Sequence, residues 1–535
     1  MKEQSNSKGF AILSTAMMIV KLLSLIYSPF IFRILGGNRS FGIYNVTYMI
    51  YTFIYVITNS GIPSAISKLV SEFIVVGNYR SATKIFKISR LMLIIVGTIM
   101  AIVMFLVSAP ITRIMHSPEA RYSVIALCPA ILFTSVGSTY RGYFQGRGNM
   151  KPTAISQVLE QIFNTVFSLL FAALLIGYGI EYGCVGATIG TTLGALVSSL
   201  FLIITYEKSK NSEGFNLKNT GNRIIHTNKQ IFKRIIKYSI PITLCIGVPS
   251  LGSLIDIYNM ISRLMVGGIS ENYAQSLFGI YSKFNVLTAV PITIISALAV
   301  TVLPAISKAV TLNNKKLTES KINFAYKISF IISIPAAVGL SVLSKPIYAL
   351  LKYNDGYNIM LVGAGIVIFM ALFQIQISIL QGMGKIYIVT LYSILGIVIK
   401  YAINYILIAI PSINIYGAII GSLVGFLVPV ILNSIYIKVN LKLKIQPKAY
   451  IFKCIISSIA MGLAGYVIYI VLNFAIGFVT KGYINNAISV IVAIVVSIII
   501  YVYTMILNKG ITDEELNLVP HRIRRFIPFS NTQRA

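Results

Sequence analysis

The chain has 535 residues, of which 56% are hydrophobic and only 11% charged, and its mean hydropathy is +0.82. Soluble domains carry about 25% charged residues, so a soluble globular fold is excluded. The net charge of +31 would suggest nucleic acid in a soluble protein, but here the basic residues sit in short segments between apolar runs. That pattern fits loops facing anionic lipid headgroups, and no nucleic-acid partner is expected.

Apolar runs of roughly 20 residues recur from end to end, the length a helix needs to cross about 30 Å of hydrocarbon. They are too long and too continuous for barrel strands, so the chain reads as an all-α polytopic membrane protein. The sequence MKEQSNSKGF leads straight into the first run with no small-residue cleavage site, so that run is expected to be retained as a helix. In chain order, fourteen spans are predicted at 9–35, 41–75, 88–112, 122–145, 152–178, 183–205, 235–266, 276–306, 326–349, 358–381, 386–410, 414–437, 450–474 and 485–507. Several exceed what a bilayer requires and should tilt or kink, with Pro29, Pro63, Pro241, Pro249, Pro291 and Pro304 as the kink sites. Cys128, Cys184, Cys245 and Cys454 lack CxxC spacing, and His116, His226 and His521 are far apart, so neither a redox pair nor a metal cluster is expected.

Orientation follows from Lys and Arg. With the N-terminus in the cytoplasm, inside segments hold roughly 33 of the 45 basic residues, outside loops roughly 6 and spans roughly 6. Both termini are therefore expected in the cytoplasm of a multi-pass cell-membrane protein.

An internal repeat runs through the chain. Phe41-Gly42-Ile43-Tyr44 recurs as Phe278-Gly279-Ile280-Tyr281, and Ala65-Ile66-Ser67-Lys68 as Ala305-Ile306-Ser307-Lys308. Lys87-Ile88-Ser89 recurs as Lys327-Ile328-Ser329, Gln145-Gly146-Arg147-Gly148 as Gln381-Gly382-Met383-Gly384, and Gly186-Ala187 as Gly417-Ala418. The matches keep one order at nearly one offset. They divide the chain into a six-helix lobe (1–205), a basic cytoplasmic linker (206–234), a second six-helix lobe (235–437), two added helices (438–507) and a tail (508–535). Each copy has an even number of spans, so the lobes are parallel and related by an axis along the membrane normal. Two such lobes usually enclose a site that rocking exposes to alternate faces, which is a transporter architecture.

Charged groups within spans mark substrate or ion paths, because they are costly there. Lys21, Asp256 and Lys283 are assigned to a central cavity. Arg33 and Arg263 join them, each shortly before a Gly-Gly pair, with snorkelling to headgroups as the structural alternative. Glu160 and Lys400 are read as ion-coupling or structural, Glu160 by pairing with Lys151. A cavity dominated by lysine and arginine suits an anionic headgroup such as a pyrophosphate.

The segment Arg141-Gly142-Tyr143-Phe144-Gln145-Gly146-Arg147-Gly148-Asn149-Met150-Lys151-Pro152-Thr153-Ala154-Ile155-Ser156-Gln157, followed by Glu160-Gln161, resembles a hallmark of the polysaccharide biosynthesis exporters. It is most similar to the branch with the stage V sporulation protein B and the Gram-positive lipid II flippases, within the multidrug/oligosaccharidyl-lipid/polysaccharide exporter superfamily. The resemblance implies movement of undecaprenyl-pyrophosphate-linked sugar, foremost the peptidoglycan precursor lipid II, from the inner to the outer leaflet, and a monomer is expected. It implies alternating access without a bound cofactor, driven by membrane potential or by a Na+ or H+ gradient. Lys21 and Lys283 fall where lipid II flippases carry basic residues on the first and eighth helices. An Arg-Asp pair expected in the first helix is replaced by Tyr27 and Ser28, which leaves room for a related lipid-linked oligosaccharide.

Two alternatives stay open: a flippase for another polysaccharide unit, and a cation-coupled multidrug exporter, which would need more acids within its spans. A membrane glycosyltransferase needs paired carboxylates near a loop, whereas the outer loops carry isolated acids such as Glu119, Glu181, Glu271 and Asp355. No enzyme is expected.

Overall fold

The computed structural model describes residues 6–212, 227–353, 355–444, 448–478, 480 and 482–510. The core of the expected basic linker and most of the expected tail lie outside the described residues. Among those described, every regular element is a helix. The chain runs α1 (Asn6–Ile34), α2 (Asn38–Asn59), α3 (Gly61–Val75), α4 (Tyr79–Ile114), α5 (Arg121–Gly146), α6 (Lys151–Leu175), α7 (Ile180–Ser212), α8 (Asn228–Val266) and α9 (Glu271–Thr311). It continues through α10 (Lys315–Val342), α11 (Ser344–Leu350), α12 (Tyr357–Gly363), α13 (Ile366–Gly382), α14 (Ile386–Leu407), α15 (Tyr416–Ile435), α16 (Lys448–Gly477) and α17 (Tyr483–Leu507).

Thirteen helical segments are long and apolar enough to cross a membrane, and counting α12 with α13, bent by 57°, as one span gives fourteen. The bent pair is the tenth of the predicted spans. Three of the helices differ from the predicted limits in ways that physical chemistry explains. α4, α8 and α10 begin at residues 79, 228 and 315, well before the apolar windows at 88, 235 and 326. Hydropathy detects only the part of a helix in hydrocarbon, and these helices continue as polar turns until a cap stops them. Asn78 accepts from Ser81 N at 3.0 Å, Asn314 accepts from Leu317 N at 2.9 Å, and Thr227 with Gln230 forms a capping box. At the other end of α10, the expected span to 349 stops at Val342. Proline cannot bond to the carbonyl four residues back and clashes with it, and Pro346 places that conflict at Val342. Pro63 does the same at Asn59, dividing α2 from α3 within one span. Pro29, Pro241 and Pro249 lie inside unbroken helices.

Packing divides the chain into two compact units, Met1–Thr301 with Gly384–Pro429, and Val302–Met383 with Val430–Ala535. Within the first unit, glycines let helices touch backbone to backbone, the main attraction open to helices in an apolar solvent. On α7, Gly186, Gly190 and Gly194 form one stripe against α6. Cβ atoms there would lie 2.3 Å from Phe171 O, 2.2 Å from Ser168 N and 2.5 Å from Glu160 O. On α15, Gly417, Gly421 and Gly425 form the same stripe against α14, meeting Ile408, Asn404 and Lys400. The two Phe-Gly-Ile-Tyr copies face each other: a Cβ on Gly42 would be 2.3 Å from Gln275 O, and one on Gly279 2.0 Å from Asn38 O.

One set of glycine contacts recurs within each unit. In the first, Gly146 abuts Ser67 O and Val70; in the second, Gly382 abuts Leu303 O and Ile306, every residue shifted by 236. In the second unit, Gln376 Nε2 of α13 donates to Tyr326 Oη at 2.9 Å and to Ser434 Oγ at 2.8 Å. Tyr501 of α17 donates to Ile331 O at 2.9 Å. All four cysteines are buried and none forms a disulfide.

Candidate functional site

α1 packs along α6, and between α1, α2, α6 and α9 the first unit forms a half-open cavity of ≈ 310 Å³. Its wall is mostly polar on the side of the first six spans: Lys21, Tyr27 and Ser28 from α1, Tyr44 and Tyr48 from α2, and Asn164 from α6. α9 closes the other side with Val286, Ala289 and Val290. Lys21 is the one charged residue in this lining, and no carboxylate joins it.

The polar side is held by hydrogen bonds behind the wall. Tyr27 Oη and Tyr44 Oη lie 2.9 Å apart, and Tyr48 Oη bonds Thr191 Oγ1. Thr191 and Ser168 both donate to Asn164 Oδ1, at 3.0 and 2.9 Å. The tyrosine spacing on α2 places Tyr44, Tyr48, Tyr51 and Tyr55 in one ring-contacting column, with centroids 4.7 to 6.3 Å apart. Such a network fixes the orientation of hydroxyl and amide groups without placing a second charge in the cavity.

The other predicted site residues are distributed differently. Lys283 is fully buried beside the cavity and not in its lining, with its ammonium 4.0 Å from the Phe32 ring centroid, a cation–π contact. Arg33 is exposed in the last turn of α1. Arg263 leaves the cavity side and clasps α14: Nε donates to Tyr405 O at 2.8 Å, and the guanidinium stacks 3.9 Å from the Tyr405 centroid. Asp256 and Lys400, read separately in the sequence, form one ion pair between α8 and α14. Asn404 Nδ2 stands 3.5 Å from the second carboxylate oxygen, and Asn259 Nδ2 donates to Tyr401 O at 2.9 Å. The partners advance together along both helices, so α8 and α14 run parallel, as the seventh and eleventh of fourteen spans must.

Glu160 pairs with Arg141 at 2.5 Å, not with Lys151, which is exposed at the start of α6. Arg141 Nη2 also donates to Ser198 Oγ at 2.8 Å, and Nε to Ser156 Oγ at 3.1 Å. Sequence reasoning used Arg141 only as the first residue of a motif. It lies near a span end, where a long side chain ordinarily reaches headgroups, yet it turns inward and is buried. The available signal was the motif itself, which supplies Arg141, Ser156 and Glu160 on two consecutive helices. The motif's glycines serve packing: Cβ atoms on Gly142 and Gly146 would each be 2.7 Å from α3 carbonyls, those of Pro63 and Ser67.

At the end of the unit that carries the 35–37 turn, Arg39 joins three segments. It donates to Gln275 Oε1 at 2.8 Å and pairs with Glu119 at 2.5 Å, while Gln275 donates to His116 O at 2.9 Å. At the opposite end, Arg234 pairs with Glu72 at 3.0 Å, and the Lys68 ammonium lies 3.9 Å from the Tyr238 centroid.

Comparison with known proteins places this arrangement. The lipid II flippase MurJ of Bacillus subtilis (strain 168) is 28% identical over 422 residues, 74% of this chain and 76% of its own length. Stage V sporulation protein B of the same organism is 24% identical over 424 residues, 78% and 80% of the two chains. Among solved structures, lipid II flippase MurJ in an inward closed conformation superposes with a TM-score of 0.68 at 16% identity, covering 93% of this chain and 99% of that one. A MATE-family multidrug resistance transporter of the MOP superfamily, in an inward-facing conformation, gives a TM-score of 0.62 at 18% identity over 79% and 98%. Both structures share the fold. Residues 7–310 match the family described as polysaccharide biosynthesis protein. That segment is more than half of the chain and contains every residue of the cavity wall, so the chain belongs to the polysaccharide biosynthesis protein family.

Proposed function

We propose that this chain is a flippase for a polyprenyl-pyrophosphate-linked sugar, lipid II foremost, and that it moves the headgroup from the cytoplasmic to the outer leaflet by alternating exposure of the Lys21 cavity. The observation that carries this reading is the Lys21 ammonium, the one charged group in the lining of a cavity otherwise made of hydroxyl, amide and apolar groups. In a site of low dielectric one fixed positive charge attracts a pyrophosphate strongly. The tyrosine, serine and asparagine groups around it offer sugar hydroxyls both donors and acceptors. The cavity is smaller than a whole sugar-peptide headgroup. Passage therefore requires α2 and α9 to part at Arg39 and Gln275, or α3 and α8 at Glu72 and Arg234. The basic segment at 206–237, which contains Arg234, supports a cytoplasmic position for the latter end. Relatives that bear the name of lipid II flippase, over three quarters of their length, support the substrate class.

Tyr27 and Ser28 favour a second reading within the same class. They line the cavity where lipid II flippases were expected to carry an Arg-Asp pair, and this suits a related lipid-linked oligosaccharide. A cation-coupled drug exporter is disfavoured, since the lining contains no carboxylate.

The deciding experiment supplies this protein or its Lys21→Ala variant to cells depleted of their own lipid II flippase and measures outer-leaflet lipid II. The wild type should restore it, and the variant should insert normally and fail. An inserted wild type that leaves lipid II inside, with partner proteins matched, would move the assignment to another polyprenyl-linked sugar.

A further inference from the structure

The two glycine seams of the first unit are built alike but filled differently. On α6, the residues facing the α7 glycines include Asn164 and Ser168; on α14, those facing the α15 glycines are Lys400 and Asn404, each 236 residues later. Asn164 borders the Lys21 cavity. Lys400 sends its ammonium instead onto Asp256 Oδ2 of α8, and Asn404 Nδ2 approaches Oδ1. The Lys400 stem lies against Gly425, where a Cβ would be 2.7 Å from the Lys400 Cβ, so the glycine provides the space the lysine needs. Both charged side chains are largely buried, with exposures of 16% and 19%.

A carboxylate inside a span is the group with which a transporter can hold a dissociable cation. Hard monovalent cations want oxygen ligands, and this locus has the two Asp256 oxygens, with the Asn404 amide beside them presenting Nδ2 to the carboxylate and Oδ1 to Gly421, so that turning the amide over would add its carbonyl. Asn404 is 1% exposed, and its Oδ1 has no hydrogen-bond partner among the described residues. Yet the position against the carboxylate is already filled by a cation tethered to α14. A second cation would have to displace an ammonium that cannot diffuse away, and would be repelled by it.

We infer that Lys400 is a built-in counter-cation: it makes the α8–α14 seam indifferent to Na+, and loss of its charge would turn Asp256 and Asn404 into a Na+ site. Arg263 cannot substitute for it, because its guanidinium is committed to Tyr405 two turns along α8. The inference concerns ion use at Asp256 and does not rest on the identity of the transported lipid.

The test uses the purified full-length protein in detergent, with Na+ as the probe. Unfolding midpoints are measured in NaCl and in N-methylglucamine chloride at equal ionic strength, alongside radiosodium binding. The wild type should show no Na+-specific shift and no Asp256-dependent binding. Lys400→Ala should gain a rise of about 3 °C at saturating Na+ together with radiosodium binding, and Lys400→Ala/Asp256→Asn should lose both. If Lys400→Ala does not fold, Lys400→Gln, neutral and of similar length, takes its place with the same expectation. Na+ binding by the wild type that disappears in Asp256→Asn would overturn the inference, as would a folded Lys400 variant that ignores Na+. Because no lipid enters the assay, either result leaves the flippase reading to be judged separately.

Discussion

Replacing Glu160 should destabilise the protein more than replacing Arg141, although the two form one pair. The guanidinium has three acceptors, Glu160, Ser198 and Ser156, and its side chain is 10% exposed, whereas that of Glu160 is 25% exposed. Two unit charges about 4 Å apart attract by about 4 kcal/mol at an effective dielectric of 20, and breaking a buried pair typically costs about 3–5 kcal/mol. Glu160→Met strands the more deeply buried charge with two hydroxyls, so a loss of about 4 kcal/mol is expected. Arg141→Met strands a carboxylate that water can reach, and about 2 kcal/mol is expected. Unfolding entropy of about 2.1 cal/mol/K per residue makes each kcal/mol worth about 1 °C in a chain this long. The midpoints should therefore fall by about 4 °C and 2 °C, as measured by heating in detergent followed by size-exclusion chromatography. The double variant Arg141→Met/Glu160→Met should be no worse than Glu160→Met alone, because it leaves no charge behind. Additive losses in the double variant, or a Glu160→Met midpoint equal to that of the wild type, would refute the reasoning.

Three further outcomes follow from the same geometry. Lys21→Ala should reduce lipid transport about 10–100-fold, the equivalent of one charged hydrogen bond of about 1.5–3 kcal/mol, while Lys21→Arg retains most of it; equal transport by wild type and Lys21→Ala would remove Lys21 from the mechanism. Gly279→Val puts a side chain where a Cβ alone would be 2.0 Å from Asn38 O, so it should cost about 1–3 kcal/mol of stability; Gly268→Ala, with nothing within 4 Å but a φ of +88°, should cost less. Lys400→Met in Na+-free buffer should lose about 3–5 kcal/mol and Lys400→Met/Asp256→Leu should recover most of it, as read from unfolding midpoints; a double variant as weak as the single would show that the charge pair is not what holds α8 to α14.

The helical class, the spans and the repeat were legible because each depends on a local property. A run of apolar residues must be helical in hydrocarbon whatever surrounds it, and Phe-Gly-Ile-Tyr repeats itself in the letters alone. Caps at Asn78, Thr227 and Asn314 moved helix starts by seven to eleven residues, since polar turns outside hydrocarbon are invisible to hydropathy. What the letters left open was the direction in which each charge points. Lys21, Lys283, Asp256 and Lys400 are alike as ionisable residues within spans. One lines a cavity, one lies on a phenylalanine ring, and two cancel each other across 144 residues of chain. Those fates follow from which helices are neighbours and how each is rotated about its axis. For α14, which carries Lys400, part of that is set by the α15 glycine stripe, where Gly421 and Gly425 make room for Asn404 and the Lys400 stem. The sequence by itself determined that charges are present within the spans, because composition is local. Only the tertiary structure decided which of them face a cavity, because helix rotation and neighbourhood are properties of the whole packing.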